Sequence, residues 1–285
     1  MSPTILQILI LGLIQGAAEL LPVSSSAHVI VAEKLMKLDP SSPEMTFLLV
    51  MLHTGTMFAV IVYFWPAWRK SFFSSKAQFT DALMKVAGAT VCTGLVGGAL
   101  ILLIEKVVLG GQKAEVEQLF SSLPLIAGAL FAAGILILWS AFKAGSDATR
   151  EVTLSSAIGI GLVQGMALPF RGFSRSGSTI SAGLLKGVGR RQAEAFSFAL
   201  AVVLTPPVMA RELLRLRKSN AAAAVPAHFG HLIQPGLVGM VGSFVAGLLA
   251  LRWLSRWLEN GRWSYFGYYC VGASAVILAL VMKGF

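Results

Sequence analysis

Charge is what this 285-residue chain has least of: Asp, Glu, Lys and Arg together supply 13% of it, against 56% hydrophobic residues. Soluble domains carry about 25% charged residues, so a water-soluble fold is excluded and an integral membrane protein is expected. Acid is the scarcer sign, with 13 Asp and Glu against 23 Lys and Arg and a formal net charge of +10. In a membrane protein that excess sits in loops and favours anionic head groups, so it does not signal nucleic acid. The two cysteines, Cys92 and Cys270, both lie inside apolar runs. That excludes a disulfide scaffold or a cysteine metal site and leaves them as small, soft hydrophobes. The start, Met1-Ser2-Pro3-Thr4, lacks a basic region and a small-residue cleavage site, so no removable signal peptide is expected.

A hydrocarbon core about 30 Å thick needs roughly 20 residues of helix. Six stretches qualify: Met45 to Trp65, Val86 to Ile104, Phe120 to Phe142, Ala193 to Ala210, Leu232 to Leu251 and Tyr265 to Met282. Ala221 to Ala224 reads as a loop or helix end between the fourth and fifth of them. Trp65, Trp68, Trp253, Trp257 and Trp263 fall near span ends and read as an interfacial belt. The chain is thus expected to be a single all-α membrane domain over residues 1–285, built of two repeats covering about 1–145 and 150–285.

The repeats are announced by a phrase written twice, Gly12-Leu13-Ile14-Gln15-Gly16-Ala17-Ala18 and Gly161-Leu162-Val163-Gln164-Gly165-Met166-Ala167. After each copy the apolar run breaks at a proline and a serine cluster, first at Pro22 to Ser26 and then at Pro169 to Thr179. Broken backbone is tolerated at membrane depth only where protein or a water-filled cavity surrounds it. Ile5 to Lys37 and Leu154 to Lys186 are therefore read as two re-entrant helix-loop-helix segments. One such segment plus three crossings per half turns the second half upside down, giving an inverted repeat whose loops meet near the midplane. In this topology the side away from both termini collects the larger share of Lys and Arg, a small bias that puts the termini outside the cytoplasm.

Glu19 is the one acid expected within an apolar segment, the others falling at helix ends or in loops. A carboxylate at that depth costs about 2.5 to 3.5 kcal/mol on insertion scales, which marks it as functional. Gln15 lies one helical turn earlier on the same face. Ser24, Ser25 and Ser26 open the second half-helix, and His28, three residues after Ser25, is close enough in sequence to form a nucleophile and proton-carrier pair with it. The second loop offers Gly172 for close backbone approach, hydroxyls from Ser174, Ser176, Ser178 and Thr179, and Arg175, whose fork matches phosphate oxygens. A buried arginine needs a partner, and Glu19 is the intramembrane candidate. Two half-helix N-termini, an arginine and several hydroxyls make a surplus of donors suited to a phosphate or pyrophosphate group. His53, in the first span beside Thr54 and Gly55, reads as a packing histidine at the border of the site.

These motifs carry a resemblance. Gln15-x-x-x-Glu19 followed by Leu21-Pro22-Val23-Ser24-Ser25 and His28, with Gly172-Phe173-Ser174-Arg175-Ser176 and Thr179, resembles the undecaprenyl-diphosphate phosphatase family linked to bacitracin resistance. The likeness extends to Phe196-Ser197-Phe198 and Gly55-Thr56, and so across nearly the whole chain. It implies a bacterial inner-membrane enzyme with a pocket open to the periplasm. Such an enzyme removes the terminal phosphate of a C55 polyprenyl diphosphate and so recycles the lipid carrier for cell-wall synthesis. It also implies a divalent cation, Mg2+ or Ca2+, and roles by residue. Glu19 and Gln15 would serve acid/base chemistry and the metal, Ser25 and His28 the reacting phosphate, and Arg175 the phosphate clamp. Ser24, Ser26, Gly172, Ser174, Ser176 and Thr179 would complete the substrate site. Gln15 stands where many relatives have a second Glu, and Pro169-Phe170-Arg171-Gly172 departs from the usual Pro-Gly form by an insertion that brings a second arginine.

The expected partners are the polyprenyl diphosphate and membrane lipids, without nucleic acid, and with the oligomeric state left open, a homodimer included. Whether serine or water attacks phosphorus is open as well. A transporter or flippase for a lipid-linked anion is the rival reading, because inverted repeats with broken helices also build transporters.

Overall fold

A computed structural model describes residues 3–39, 42–108, 122–144, 150–221 and 230–283. The expected start of the third span at Phe120 and the loop beyond Ala221 lie outside the described residues. Ten α-helices are described, and no strand is present among these residues. They are α1 (Ile5–Leu20), α2 (Ser25–Leu35), α3 (Pro43–Ser71), α4 (Lys76–Leu103, continued by a π-turn at Ile104–Val108), α5 (Leu123–Lys143), α6 (Leu154–Ala167), α7 (Arg175–Leu185), α8 (Arg190–Ala221), α9 (Gly230–Glu259) and α10 (Ser264–Met282). The order short, short, long, long, long occurs twice.

The six long helices each contain an apolar stretch sufficient to cross a bilayer. They overrun the sequence-based limits because their polar ends keep helical hydrogen bonds: α3 continues through Pro66 to Ser71, and α4 begins at Lys76. Local chemistry sets the starts. Thr4 caps α1 in a reciprocal box with Gln7, Thr153 does the same for α6 with Ser156, and Ser42 caps α3 ahead of Pro43. Large apolar side chains such as Phe58, Leu95, Leu102 and Trp139 face outward, as lipid contact demands.

Each duplicated segment forms two short helices that pack on each other, α1 with α2 and α6 with α7. Leu21 adopts the extended conformation imposed by the proline that follows it, which ends α1. The first helix of each pair then packs against a long helix of the other repeat, α1 on α9 and α6 on α4. This exchange explains why the phrase recurs. A Cβ on Gly16 would lie 2.5 Å from the Ser243 carbonyl oxygen, and one on Gly161 2.3 Å from that of Ala89. Only glycine lets the backbones approach so closely. Gly161→Leu is therefore expected to destabilise the protein by about 1–3 kcal/mol. Gly94→Leu, where an added Cβ meets nothing within 4 Å, should leave it unchanged. Thermal unfolding of both variants in detergent checks the contrast.

The first loop and the helix that follows each break join the largest apolar core among the described residues, where Leu20, Val23 and Ala27 meet Ile126, Ile137, Ile180 and Phe198. Two of the tryptophans expected in an interfacial belt are inside it: Trp68 is 6% and Trp263 2% exposed. An indole N–H needs an acceptor wherever it lies, and here both acceptors are internal. Trp68 donates to the Ala195 carbonyl, and Trp263 to the Ser140 and Ser181 hydroxyls. Trp65 and Trp253 remain half exposed. Cys92 and Cys270 are both free thiols, and Cys270 is buried.

Candidate active site

Glu19 closes the last turn of α1 and aims its carboxylate between the two loops. Oε1 accepts from Arg175 Nη2 at 2.9 Å, an ion pair that joins the two repeats. Oε2 accepts from Ser25 Oγ at 2.5 Å and from Gln15 Nε2 at 3.4 Å. One carboxylate thus gathers an arginine, a hydroxyl and an amide from three different helices. Further bonds lock the loops together: Gly172 N–H donates to Ser26 Oγ at 3.3 Å and Ser176 Oγ to the Leu21 carbonyl at 3.3 Å. Gly172 sits at φ +99°, and a Cβ there would lie 2.3 Å from the Ile126 carbonyl oxygen, so a side chain is excluded twice over.

Between the loops lies a cavity of about 210 Å3, walled by Glu19, Ser24, Ser25, Ser26 and the run from Phe170 to Ser176. Two helix N-termini open onto it. Ser24 makes no side-chain cap on α2, leaving the first N–H groups of that helix available. On α7, Ser174 Oγ takes the Gly177 N–H at 3.2 Å, which leaves those of Arg175 and Ser176 at the tip. The donors converge further in Arg175, whose Nη2 is committed to Glu19 while Nη1 is buried without a partner. A buried guanidinium nitrogen left unpaired is costly. An anion in the cavity satisfies it together with the free N–H groups.

His28 departs from the expected pairing with Ser25. Its Nδ1 lies 2.8 Å from the Ser24 carbonyl, which can only accept, so Nδ1 carries the proton. Its Nε2 is 2.6 Å from the Tyr269 hydroxyl, which donates to it when the ring is neutral. The ring therefore holds Ser24 in its left-handed conformation, φ 67°, and the hydrogen bond of Ser25 goes to Glu19 instead. The i, i+3 spacing permitted the Ser25–His28 contact. Competition from a backbone carbonyl and a tyrosine 241 residues away decided against it.

Gln15, His28 and Thr179 stand behind the cavity wall rather than on it. Thr179 is fully buried, bonded to the Ser197 hydroxyl at 2.6 Å and to the Arg175 carbonyl at 2.7 Å, which fixes the turn that carries the guanidinium. His53 is nearer the chemistry than a packing role requires: Nε2 is 3.9 Å from Glu19 Oε2 while Nδ1 donates to the Leu49 carbonyl. That position at the border of the site was anticipated for His53, but no spacing in the sequence ties α10 to α2, so Tyr269 was not legible as a neighbour of the loops.

Two further acids are buried. Glu33 and Glu194 are at helix ends, as expected, yet they are 4% and 2% exposed. Glu194 accepts from the Ser255 hydroxyl at 2.6 Å. Burial pushes the Glu33 carboxyl up to about 7, against the pull of the Arg171 guanidinium. Helix ends are solvent-exposed only when no neighbouring element covers them, which sequence position does not reveal.

Fold and site together define a class: a polytopic helical membrane protein that encloses a cavity lined by hydroxyls, a carboxylate and arginines where two broken helices meet. The family model described as "Bacitracin resistance protein BacA" matches residues 8–276, and the chain belongs to that family. It is 56% identical over 279 residues to "Undecaprenyl-diphosphatase 2" of Acinetobacter baylyi, covering 97% of this chain and 98% of that relative. "Undecaprenyl-diphosphatase" proteins of Korarchaeum cryptofilum and Desulfatibacillum aliphaticivorans are 34% and 33% identical, each over 97% of this chain and 99% of the relative.

Proposed function

We infer that this protein hydrolyses undecaprenyl diphosphate to undecaprenyl phosphate and inorganic phosphate. The observation that carries the inference is the divided guanidinium of Arg175, half spent on Glu19 and half buried without a partner beside two helix N-termini. The names of its relatives supply the substrate, and the cavity supplies the means. With the terminal phosphate in the cavity, Arg175 Nη1 and the N–H groups of α2 and α7 hold its oxygens and the charge that builds on them.

Ser25 is the nucleophile. Its Oγ attacks the terminal phosphorus, its proton passes to Glu19 Oε2, and the bond from that phosphorus to the bridging oxygen breaks. The electron pair leaves with the prenyl monophosphate. Water then attacks the phosphoserine, releasing inorganic phosphate, and Glu19 returns the proton to Ser25. Glu19 acts as base and then acid, and His28, tied to Ser24 and Tyr269, keeps the serine loop in shape.

A divalent cation, Mg2+ or Ca2+, belongs to this proposal. Among the described residues no group of three or more His, Cys, Asp and Glu converges, so these residues alone make no complete cage. The Glu19 carboxylate on the cavity wall, with the buried Gln15 amide bonded behind it, would be the groups to hold a hard cation there. Bound there, it would neutralise phosphate charge.

The membrane setting follows from the same reading. The six long apolar helices make the protein multi-pass. The α1–α2 and α6–α7 pairs are taken to be re-entrant, the location the bacterial inner membrane, and the pocket open to the periplasm. The decisive test is phosphate release from a prenyl diphosphate by purified, detergent-solubilised protein, since transport requires two compartments and hydrolysis does not. Release is expected, falling at least about tenfold in chelator and returning with added cation. No release removes the hydrolase reading, and release indifferent to chelator removes the cation.

A further inference from the structure

Arg171 is a cation without a job in the mechanism above. It lies on the cavity wall four residues before Arg175, its side chain is exposed, and among the described residues it makes no hydrogen bond or ion pair. Its charge acts on Glu33, two turns beyond Ser25 along α2 and beside the exposed Lys34 and Leu35 at the end of that helix. Ser25 opens α2 at the same cavity, where the Arg171 side chain is exposed. Arg175, by contrast, has its free nitrogen buried. The two guanidiniums thus occupy different depths, one at the mouth and one at the floor.

A prenyl diphosphate has the same two-level order. Its terminal phosphate is the part farthest from the hydrocarbon and must reach the floor for Ser25 to attack. The lipid-linked phosphate then stays nearer the mouth. We propose that Arg171 binds this second phosphate, so that the site recognises a diphosphate as a unit rather than any single phosphate. This deepens the diphosphatase reading and rests on it. The same contact serves the chemistry. When the bridging P–O bond breaks, the electron pair and its negative charge arrive on the lipid-linked phosphate, where a planar five-donor cation is suited to receive them. No further reactant is needed, because the anhydride supplies its own leaving group.

Binding calorimetry with lipid-free probes separates the levels without needing turnover. Inorganic pyrophosphate fills both and orthophosphate only the floor. In Arg171→Gln, pyrophosphate affinity is expected to fall at least about tenfold, the worth of one charge-assisted contact, while orthophosphate affinity changes less than about twofold. Arg171→Lys should recover part of the loss, and Arg252→Gln, which removes a charge that is not on the cavity wall, should cost none of the affinity. Equal losses for both anions would reduce Arg171 to a general field. No loss for either would assign it to lipid head groups. Both results overturn the proposal. Should wild-type protein release no phosphate from a prenyl diphosphate, the diphosphatase reading fails, whereas the two-level preference is judged by the calorimetry alone.

Discussion

Ser25→Ala is expected to lower phosphate release by about 10^3-fold or more, the loss seen when a nucleophile is removed and the charge-stabilising groups stay in place. The geometry explains why so small a change costs so much. The Ser25 hydroxyl is held 2.5 Å from the Glu19 carboxylate and opens onto the cavity, and the neighbouring hydroxyls lack that connection. Ser24 and Ser26 bond to each other, and Ser26 also receives the Gly172 N–H, so neither is free to substitute. The fold should survive, since only one hydroxyl hydrogen bond, worth about 1 kcal/mol, is lost. Acid-quenched single turnovers with terminally 32P-labelled substrate should show phosphoserine in the wild type and none in the variant. A variant hydrolysing at near wild-type rate would transfer the attack to water.

The second large effect concerns Arg175. Arg175→Gln is expected to reduce turnover by about 10^3- to 10^5-fold, the range found when an arginine that neutralises phosphoryl-transfer charge is removed. It also leaves Glu19, a partly buried carboxylate, without its ion-pair partner, which destabilises by about 1–3 kcal/mol. The two consequences are separable. Arg175→Lys keeps a positive charge for Glu19 but cannot bridge the carboxylate and the phosphate at once, because that needs two nitrogens in a fixed fork. It should unfold near the wild-type temperature and still lose most of its activity. If the lysine variant is fully active, Arg175 supports the loops and does not clamp the substrate.

Much of this arrangement was written in the sequence. The scarcity of charge gave a membrane protein, the apolar run lengths gave six long helices, and the repeated phrase located both breaks. Glu19 and Arg175 could be paired on paper because a buried guanidinium and a buried carboxylate, each costly alone, have few other ways to be satisfied. The repetition nevertheless misleads about equivalence. Gln15 and Gln164 hold the same position in the phrase, yet Gln15 donates to Glu19 while Gln164 donates to Thr93 and leaves its amide oxygen buried without a partner. Four residues later the first copy has Glu19 and the second Leu168, so only one repeat brings the carboxylate. The glycines, in contrast, are equivalent in both copies, because their task of admitting a neighbouring helix depends on their own shape.

The sequence by itself determined the solvent of this protein, the number and kind of its helices, where two of them break, and which rare polar groups could be placed inside. Those properties follow from transfer free energies and backbone geometry, which act residue by residue. Only the tertiary structure decided which partner each polar group takes. It gave Ser25 to Glu19 rather than His28, bound His28 to Ser24 and Tyr269, brought His53 beside the carboxylate, buried Trp68, Trp263 and Glu194, and set Arg171 and Arg175 at different depths. Hydrogen bonds and ion pairs reach only a few ångströms, so their outcome depends on which distant segments the packing of α1 on α9 and α6 on α4 delivers to the same place.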